Sequence, residues 1–318
     1  MKAIIWTAYG SPDVLRLREI AKPVPVDNGV LVKNHAGTVT TGDARMRGFR
    51  VSAGLWLPTR LAFGLTKPRI AIPGMDFAGE VAAVGKNVSQ FKQGDRVCGT
   101  TGLSLGAHAE YVCIAEDKAL SKIPDTLPYE NAVAGIFGGL AALYFLRDRA
   151  TIHSGQKVLV NGASGAVGTM AVQLAKFYQT EVTGVCSAAN HALVKSIGAD
   201  QVIDYTREDF TQNGNAYDII LDTVGNLSYA KCRQSLSRQG KLILINTGLL
   251  TMLQSVVNSK LICGVSGESK ADLAFLLELA DSGKLTPVID RTYTLEEIAG
   301  AHRHVDTGHK KGNVVLAI

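Results

Sequence analysis

The chain has 318 residues, a length that suggests about two domains and a core large enough to need no disulfide staple. Hydrophobic residues make up 46% and charged residues 19%, which excludes a disordered chain. The formal charge of +5 is spread thinly, with no basic arm or arginine-rich helix, so no nucleic-acid partner is expected and a mildly basic site for an anionic cofactor is. Five cysteines, an odd number with no CxxC among them, argue against a disulfide framework. The opening MKAIIWTAYG alternates like a strand rather than a signal peptide, and no run of 18 apolar residues occurs. A cytoplasmic protein with no membrane partner is the expectation.

In chain order, Lys2 to Trp6 reads as a strand before a Gly10-Ser11-Pro12-Asp13 turn. Leu15 to Ile20 alternates strictly, which predicts a half-buried strand. Strands follow at Val30 to Ala36, Phe77 to Val84 and Arg96 to Gly99, and Ala107 to Ile114 runs into another. Short strands with glycine turns indicate a barrel-like β unit. Arg45 to Ile72 interrupts the rhythm with Trp56, Leu57, Phe63 and Leu65, and reads as a flap or a helix. Pro128 then opens a long apolar helical stretch, with proline favourable in a first turn.

From residue 157 the period changes to βαβ. Strands are expected at Lys157 to Val160, Glu181 to Cys186, Gln201 to Asp204, Tyr217 to Thr223 and Lys241 to Asn246. Helices are expected at Ala166 to Tyr178, Asn190 to Ile197 and Leu227 to Ser237. Apolar strands alternating with helices form a parallel sheet covered on both faces. A helix at Lys270 to Ser282 and a strand at Asn313 to Ile318 close the chain. The partition is therefore residues 1–119 and 262–318 for the β-rich domain, and 120–261 for the parallel-sheet domain.

The sharpest motif is the strand–turn–helix of Val158 to Gly168. Gly162, Ala163, Ser164, Gly165, Ala166, Val167 and Gly168 make an AxGxxG turn in which Ala163 stands for the first glycine of GxGxxG. Gly165 allows a pyrophosphate to approach the backbone, Gly168 allows close helix–strand packing, and the first helical N–H groups face the anion. The next strand ends at Cys186 without an acid to hold a ribose 2′-hydroxyl. Ser187 and Asn190 can instead donate to a 2′-phosphate, which favours NADP(H), with NAD(H) the second candidate. No arginine or lysine stands in that turn.

Together with Pro73 to Gly79, Lys92 to Val97, Gly106 to Val112, Ile197 to Asp200 and Asp222 to Gly225, this turn resembles the medium-chain dehydrogenase/reductase superfamily, most of all its zinc-independent quinone oxidoreductase-like branch. The resemblance implies an α/β protein made of a GroES-like β-barrel-type catalytic domain and a Rossmann nucleotide-binding domain. It implies a homodimer joined along Rossmann sheet edges, here around Val256 to Val265. The ligand positions of zinc-dependent relatives match Thr40, Met75 and the neighbourhood of Phe137-Gly138, and the four-cysteine structural-zinc lobe is missing. No zinc is expected.

The resemblance places Thr40, Thr41 and Asp43 in a loop beside the nicotinamide. Thr40 is a candidate to orient the carbonyl or the cofactor. Asp43 is a candidate to fix that loop or the ribose, or is a satisfied turn carboxylate. Trp56, Phe63 and Leu65 are either a substrate wall or a satellite of the core. Arg47 either meets an anionic group or is solvated. Asn313 replaces the usual lysine of the carboxy-terminal cofactor-contact segment and can still hydrogen-bond. The implied chemistry is NADPH-dependent hydride transfer to a small-molecule quinone or α,β-unsaturated carbonyl. The competing expectation is a nucleotide-binding regulatory or structural protein with little catalytic activity.

Overall fold

The computed structural model describes residues 1–51, 53–245 and 247–318, and its contacts divide the chain into two compact units. The first comprises Met1–Val51, Trp56–Phe137 and Glu268–Ile318; the second comprises Ser52–Leu55 and Gly138–Gly267.

The first unit begins with β1 (Lys2–Trp6) and β2 (Leu15–Glu19), an antiparallel pair. β3 (Gly29–Thr38) is followed by α1 (Thr41–Gly48) and α2 (Trp56–Phe63). β4 (Asp76–Val84), β5 (Arg96–Thr100), β6 (Tyr111–Ala115), β7 (Leu120–Lys122) and α3 (Tyr129–Ala134) complete this stretch. Arg45 to Ile72 is thus helical in two pieces. The loop expected at Thr40 to Asp43 is the capped first turn of α1. Phe49 ends α1 in the left-handed region (φ 48°), where its ring packs edge-on against Tyr9 and Trp56.

The second unit contains most of α4 (Ile136–Leu143), then β8 (Lys157–Asn161), α5 (Ala166–Phe177), β9 (Glu181–Cys186), α6 (His191–Ser196) and β10 (Gln201–Asp204). β11 (Tyr217–Asp222), α7 (Tyr229–Cys232), β12 (Leu236–Leu244), α8 (Leu249–Val257) and β13 (Leu261–Cys263) follow. Every pairing is parallel, in the order β10-β9-β8-β11-β12-β13. That order is the doubly wound 3-2-1-4-5-6 arrangement, whose topological switch lies between β8 and β11. The strands pack Leu159, Ile220, Leu242 and Tyr217 into one core, each large side chain contributing roughly 1.5–3 kcal/mol. The helix expected at Leu227 to Ser237 is only the short α7, because β12 already begins at Leu236. Asn246, the expected end of that strand, lies outside the described residues.

The chain then returns to the first unit with α9 (Lys270–Asp281), β14 (Ile289–Thr294), α10 (Ile298–Asp306) and β15 (Asn313–Ala317). β15 inserts between β14 and β3, giving the order β14-β15-β3-β4-β5-β7 with β6 also on β3. α10 buries Ile298, Ala301, His302 and Val305, the i, i+3, i+4, i+7 stripe of a helix lying on a core. Val30, Val32, Phe77, Val81 and Leu120 form a second core cluster.

Both unit boundaries fall later than the sequence partition. β7 pairs with β5 and α3 packs on β3 and β4, so residues after 119 still belong to the first unit. β13 belongs to the parallel sheet, so the second unit extends beyond 261. The run Tyr129–Arg149 is long and apolar enough to cross a membrane by length and composition, but 67% of its apolar window is buried inside the protein.

Candidate functional site

The glycine turn joins β8 to α5 at the switch of the parallel sheet. Gly162 has φ +81°, and a Cβ there would lie 2.5 Å from Thr223 Oγ1, so glycine is required on both counts. The N–H groups of Gly162 and Ala163 both donate to the Val185 carbonyl at 3.0 Å, which fixes the turn to β9. Ala163 is fully buried, and it fits because Gly184 on β9 lacks a side chain; a Cβ on Gly184 would lie 3.1 Å from that of Ala163. Gly168 is closely packed, with a would-be Cβ 2.1 Å from the Gly162 carbonyl oxygen. Gly165 is the N-cap of α5, and a Cβ there would meet only that same oxygen, at 3.5 Å. Among the described residues no other neighbouring atom lies within 4 Å of that Cβ position, and Ser164, Ala166 and Val167 are partly exposed around it.

Three residues without an assigned role in the sequence reading organise the switch point. Asn161, at the end of β8, donates to Asp222 Oδ1 (2.9 Å) and Asn226 Oδ1 (2.8 Å). Asp222, fully buried at the end of β11, accepts from the N–H groups of Val224, Gly225 and Leu227. Thr223 donates to the Asn161 carbonyl at 2.8 Å. The carboxylate thus shapes the turn that borders Gly162. The Asp222-Thr223-Val224-Gly225 run was the available signal: an acid ending an apolar strand and followed by a glycine turn.

After β9, Asn190 Nδ2 donates to Ser164 Oγ at 3.1 Å and to Ser187 Oγ at 3.4 Å. The sheet thus brings Ser187 and Asn190 to the glycine turn. Asn190 Oδ1 is buried and has no hydrogen-bond partner in the protein. Cys186 beneath them is buried, and burial pushes its thiol up to about 11.

In the first unit, Thr40 and Asp43 form a reciprocal capping box. Thr40 Oγ1 donates to Asp43 Oδ2 (2.6 Å) and accepts from the Asp43 N–H (3.1 Å), while the Thr40 N–H donates to Asp43 Oδ2 (2.8 Å). Both residues are buried, and Asp43 Oδ1 is left without a partner. Asp76, which opens β4 at 1% exposure, accepts from Thr38 Oγ1 at 2.9 Å. Burial, then the negative charge of Asp43, raise the Asp76 carboxyl to about 7 against the opposing pull of hydroxyls from Thr38 and Thr100. Glu268 adds a smaller push in the same direction. The ring of His108 bonds the Thr38 carbonyl through Nε2 at 2.8 Å. This buried polar set lies around the Thr40–Asp43 cap, and of it the sequence points only to Thr40 and Asp43.

Other sequence candidates have defined environments. Arg47 is buried rather than solvated: its Nε donates to His302 Nδ1 at 3.3 Å, and its terminal nitrogens bind the Gly10 carbonyl and Asp306. Its fork is filled by the fold, which removes it as an anion clamp. Asn313 is buried, and both its backbone N–H (2.8 Å) and its side-chain Nδ2 (3.1 Å) donate to the Val288 carbonyl. Its amide therefore serves the β14–β15 join. Neighbouring Lys310 donates to the Gly312 carbonyl at 2.6 Å, and burial lowers its ammonium to about 8. α2 buries none of its side chains fully; Trp56 packs edge-on against the core residue Phe49, and Phe63 is half-buried. Trp56 and Leu65 are exposed, as are Leu57 and Leu61 on the same segment. Among the described residues, no group of three or more His, Cys, Asp and Glu side chains is arranged to hold a metal ion.

Residues 26–125 match the alcohol dehydrogenase GroES-like domain family, and residues 197–316 match a family described as zinc-binding dehydrogenase. The chain is 32% identical to the quinone-oxidoreductase QR1, chloroplastic, of Triphysaria versicolor, over 99% of this chain and 98% of the relative. It is 32% identical to the 2-methylene-furan-3-one reductase of Solanum lycopersicum, over 99% of this chain and 79% of that protein. The structure of the quinone oxidoreductase from Coxiella burnetii superposes with a TM-score of 0.89 at 29% identity, covering 100% of this chain and 99% of that one.

Proposed function

The chain belongs to the quinone oxidoreductase-like branch of the medium-chain dehydrogenase/reductase superfamily, and we propose that it is a zinc-independent, NADPH-dependent reductase of quinones or α,β-unsaturated carbonyls. The observation that carries this reading is the glycine turn: a helix N-terminus faced by open space at Gly165, with its packing glycines already filled by neighbouring backbone and side chains. Such a cradle fits a pyrophosphate. The orphaned Asn190 oxygen and the Ser164 and Ser187 hydroxyls beside it fit the ribose end of a dinucleotide.

NADPH, when bound, supplies the hydride. The backbone of residues 162–168 holds its diphosphate, and Ser187 and Asn190 hydrogen-bond its 2′-phosphate. Thr40 orients the carbonyl of the acceptor. Its hydroxyl proton rests on Asp43 Oδ2 and turns towards the oxygen on which negative charge develops. Asp43 keeps that hydroxyl in place. Trp56, Phe63 and Leu65 offer an apolar surface to an uncharged ring or enone chain. Met75 and Thr40, at the positions of the relatives' metal ligands, provide no imidazole or thiolate for zinc, so polarisation of the carbonyl falls to hydrogen bonds. The names of the two curated relatives, one for quinones and one for a methylene-furanone, support a conjugated acceptor.

A homodimer is part of this reading. β13 ends the order of the parallel sheet, and Val256, Val257 and Val265 around it are exposed. Light scattering at micromolar protein tests it, and a monomeric mass would overturn it.

NADPH oxidation against quinones, linear enals, cyclic enones and simple ketones, with product identification and with or without chelator, tests the activity. Turnover of conjugated acceptors that survives chelation is expected. Activity that needs stoichiometric zinc, or turnover of simple aldehydes alone, would overturn it. Nucleotide binding with no oxidation across the whole panel would favour a regulatory protein instead.

A further inference from the structure

The turn after β9 contains no arginine or lysine, yet a 2′-phosphate needs positive charge. The neighbouring strand answers this. β10 runs parallel to β9 with Asp204 opposite Cys186, so both strands end at the same level. The Tyr205 N–H lies 3.4 Å from the Cys186 carbonyl, which starts the turn after β10 beside Ser187. That turn is tightly held. Asp204 Oδ1 accepts from the Thr206 N–H (3.0 Å) and hydroxyl (2.8 Å), and the Arg207 N–H returns to the Asp204 carbonyl (3.0 Å). Arg207 is exposed and makes no ion pair among the described residues. On the other side, His191 follows Asn190 directly, and its Nε2 is buried without a hydrogen-bond partner. Two nitrogen-bearing side chains thus flank one strand end, each with unused hydrogen-bonding capacity.

We propose that Arg207, as the charge, and His191, as a hydrogen-bonding partner, form the second half of the adenosine 2′-phosphate subsite, completing the Ser187–Asn190 turn and setting the preference for NADPH over NADH. The proposal rests on the NADPH reading above and names the residues that make it selective. Arg207 supplies a permanent charge and a planar fork for phosphate oxygens. His191 offers its free ring nitrogen on the side of Asn190. Asp204 works against them. Its carboxyl is held below the ordinary aspartate range by the Thr206 bonds, with smaller contributions from the charges of His191 and Arg207, so it remains an anion beside the subsite. The Arg207 charge therefore first offsets Asp204 and then attracts the phosphate, while His191 adds a hydrogen-bonding nitrogen. The balance of three side chains, rather than one arginine within the turn, decides the nucleotide.

The test is a calorimetric titration of the full chain with NADPH, NADH and 2′,5′-ADP, alongside thermal unfolding. Arg207→Gln should weaken NADPH and 2′,5′-ADP at least about tenfold, the scale of a lost charged hydrogen bond, and leave NADH within about twofold. His191→Ala should move the same two ligands in the same direction. Asp204→Asn should tighten both, a gain of function that misfolding cannot produce. If wild type prefers NADPH and all three variants keep its NADPH-to-NADH ratio, the Arg207–His191 assignment is overturned while the NADPH reading stands. If wild type itself binds NADH more tightly, the NADPH reading fails and takes this subsite with it.

Discussion

Gly168 lies beneath the carbonyl of Gly162: a Cβ on Gly168 would stand 2.1 Å from that oxygen, whereas one on Gly165 would stand 3.5 Å from it and near nothing else. The two glycines of the turn therefore do different work. Gly168 serves the contact between turn and helix, and Gly165 keeps clear the space in front of the helix. Gly165 also has φ −82°, a conformation open to any residue. Gly165→Val should fold with little loss of thermal stability and lose most of its nucleotide affinity. Gly168→Ala should lose roughly 1–3 kcal/mol of stability from overpacking. Melting curves and nucleotide titration on the same samples separate the two. Unchanged affinity in a folded Gly165→Val protein would remove the pyrophosphate from this position.

Thr40 illustrates how a residue proposed for chemistry also holds the fold. Its hydroxyl caps α1, so Thr40→Ala should lower stability by about 1 kcal/mol whatever it does to turnover. Thr40→Asn keeps a good N-cap acceptor but has no hydroxyl. If the hydroxyl orients the substrate, Thr40→Asn should melt near wild type and show a reduced kcat, and Thr40→Ser should recover both properties. A Thr40→Asn protein with full kcat would confine Thr40 to capping.

The parallel sheet was legible because its strands are continuous apolar runs and its glycine turn has fixed chemistry. Val158 to Val160 and Ile219 to Leu221 lie where periodicity places them, and both are buried. α1 is equally legible in principle, since Thr40-x-x-Asp43 followed by a helix-compatible run is a capping-box pattern. β12 was not legible. Its first half, Leu236 to Gly240, is polar, and it is held by pairing with β11 through an irregular register rather than by its own pattern. At the site, Ser187 and Asn190 could be read from their place after a strand. Asp76 and Arg47 could not be read in the same way. Burial of a charged residue depends on partners distant in sequence: Thr38 for Asp76, and His302 and Asp306 for Arg47.

Arg47 therefore carries a stability prediction rather than a catalytic one. Its side chain is 2% exposed and joins α1 to His302 and Asp306 of α10 and to the Gly10 carbonyl. Arg47→Met keeps much of the volume but leaves His302 Nδ1 and the Gly10 carbonyl without their donor. The expected loss is about 3–5 kcal/mol, the range for breaking a buried charged pair from one side. Chemical denaturation measures it. Nucleotide affinity should be unchanged in the fraction that remains folded. A loss below about 1 kcal/mol would mean that solvent reaches this network.

Asp76 makes the stability of the first unit depend on pH. Its carboxyl is raised from the ordinary 3.8 to about 7, chiefly by burial and then by Asp43, so the folded chain prefers it protonated. The sign follows from linkage: the contribution of the protonated group is complete below about pH 4 and is lost as pH rises through about 7. Above that range the fold must carry a buried carboxylate near Asp43. Asp76→Asn removes the titration while keeping the shape. The amide oxygen can accept from Thr38 and Thr100, and the neutral side chain removes the repulsion from Asp43. Relative to wild type, the variant should gain stability progressively between about pH 4 and pH 7 and level off above, with about 4 kcal/mol as the upper bound. Thermal unfolding of both proteins at about pH 5 and about pH 8 is sufficient, since every other titrating group is common to the pair. A stability difference that is the same at both pH values would show that Asp76 is ionised throughout. A variant less stable at the higher pH would show that the carboxylate form is the one the Thr38 and Thr100 hydroxyls are placed to hold.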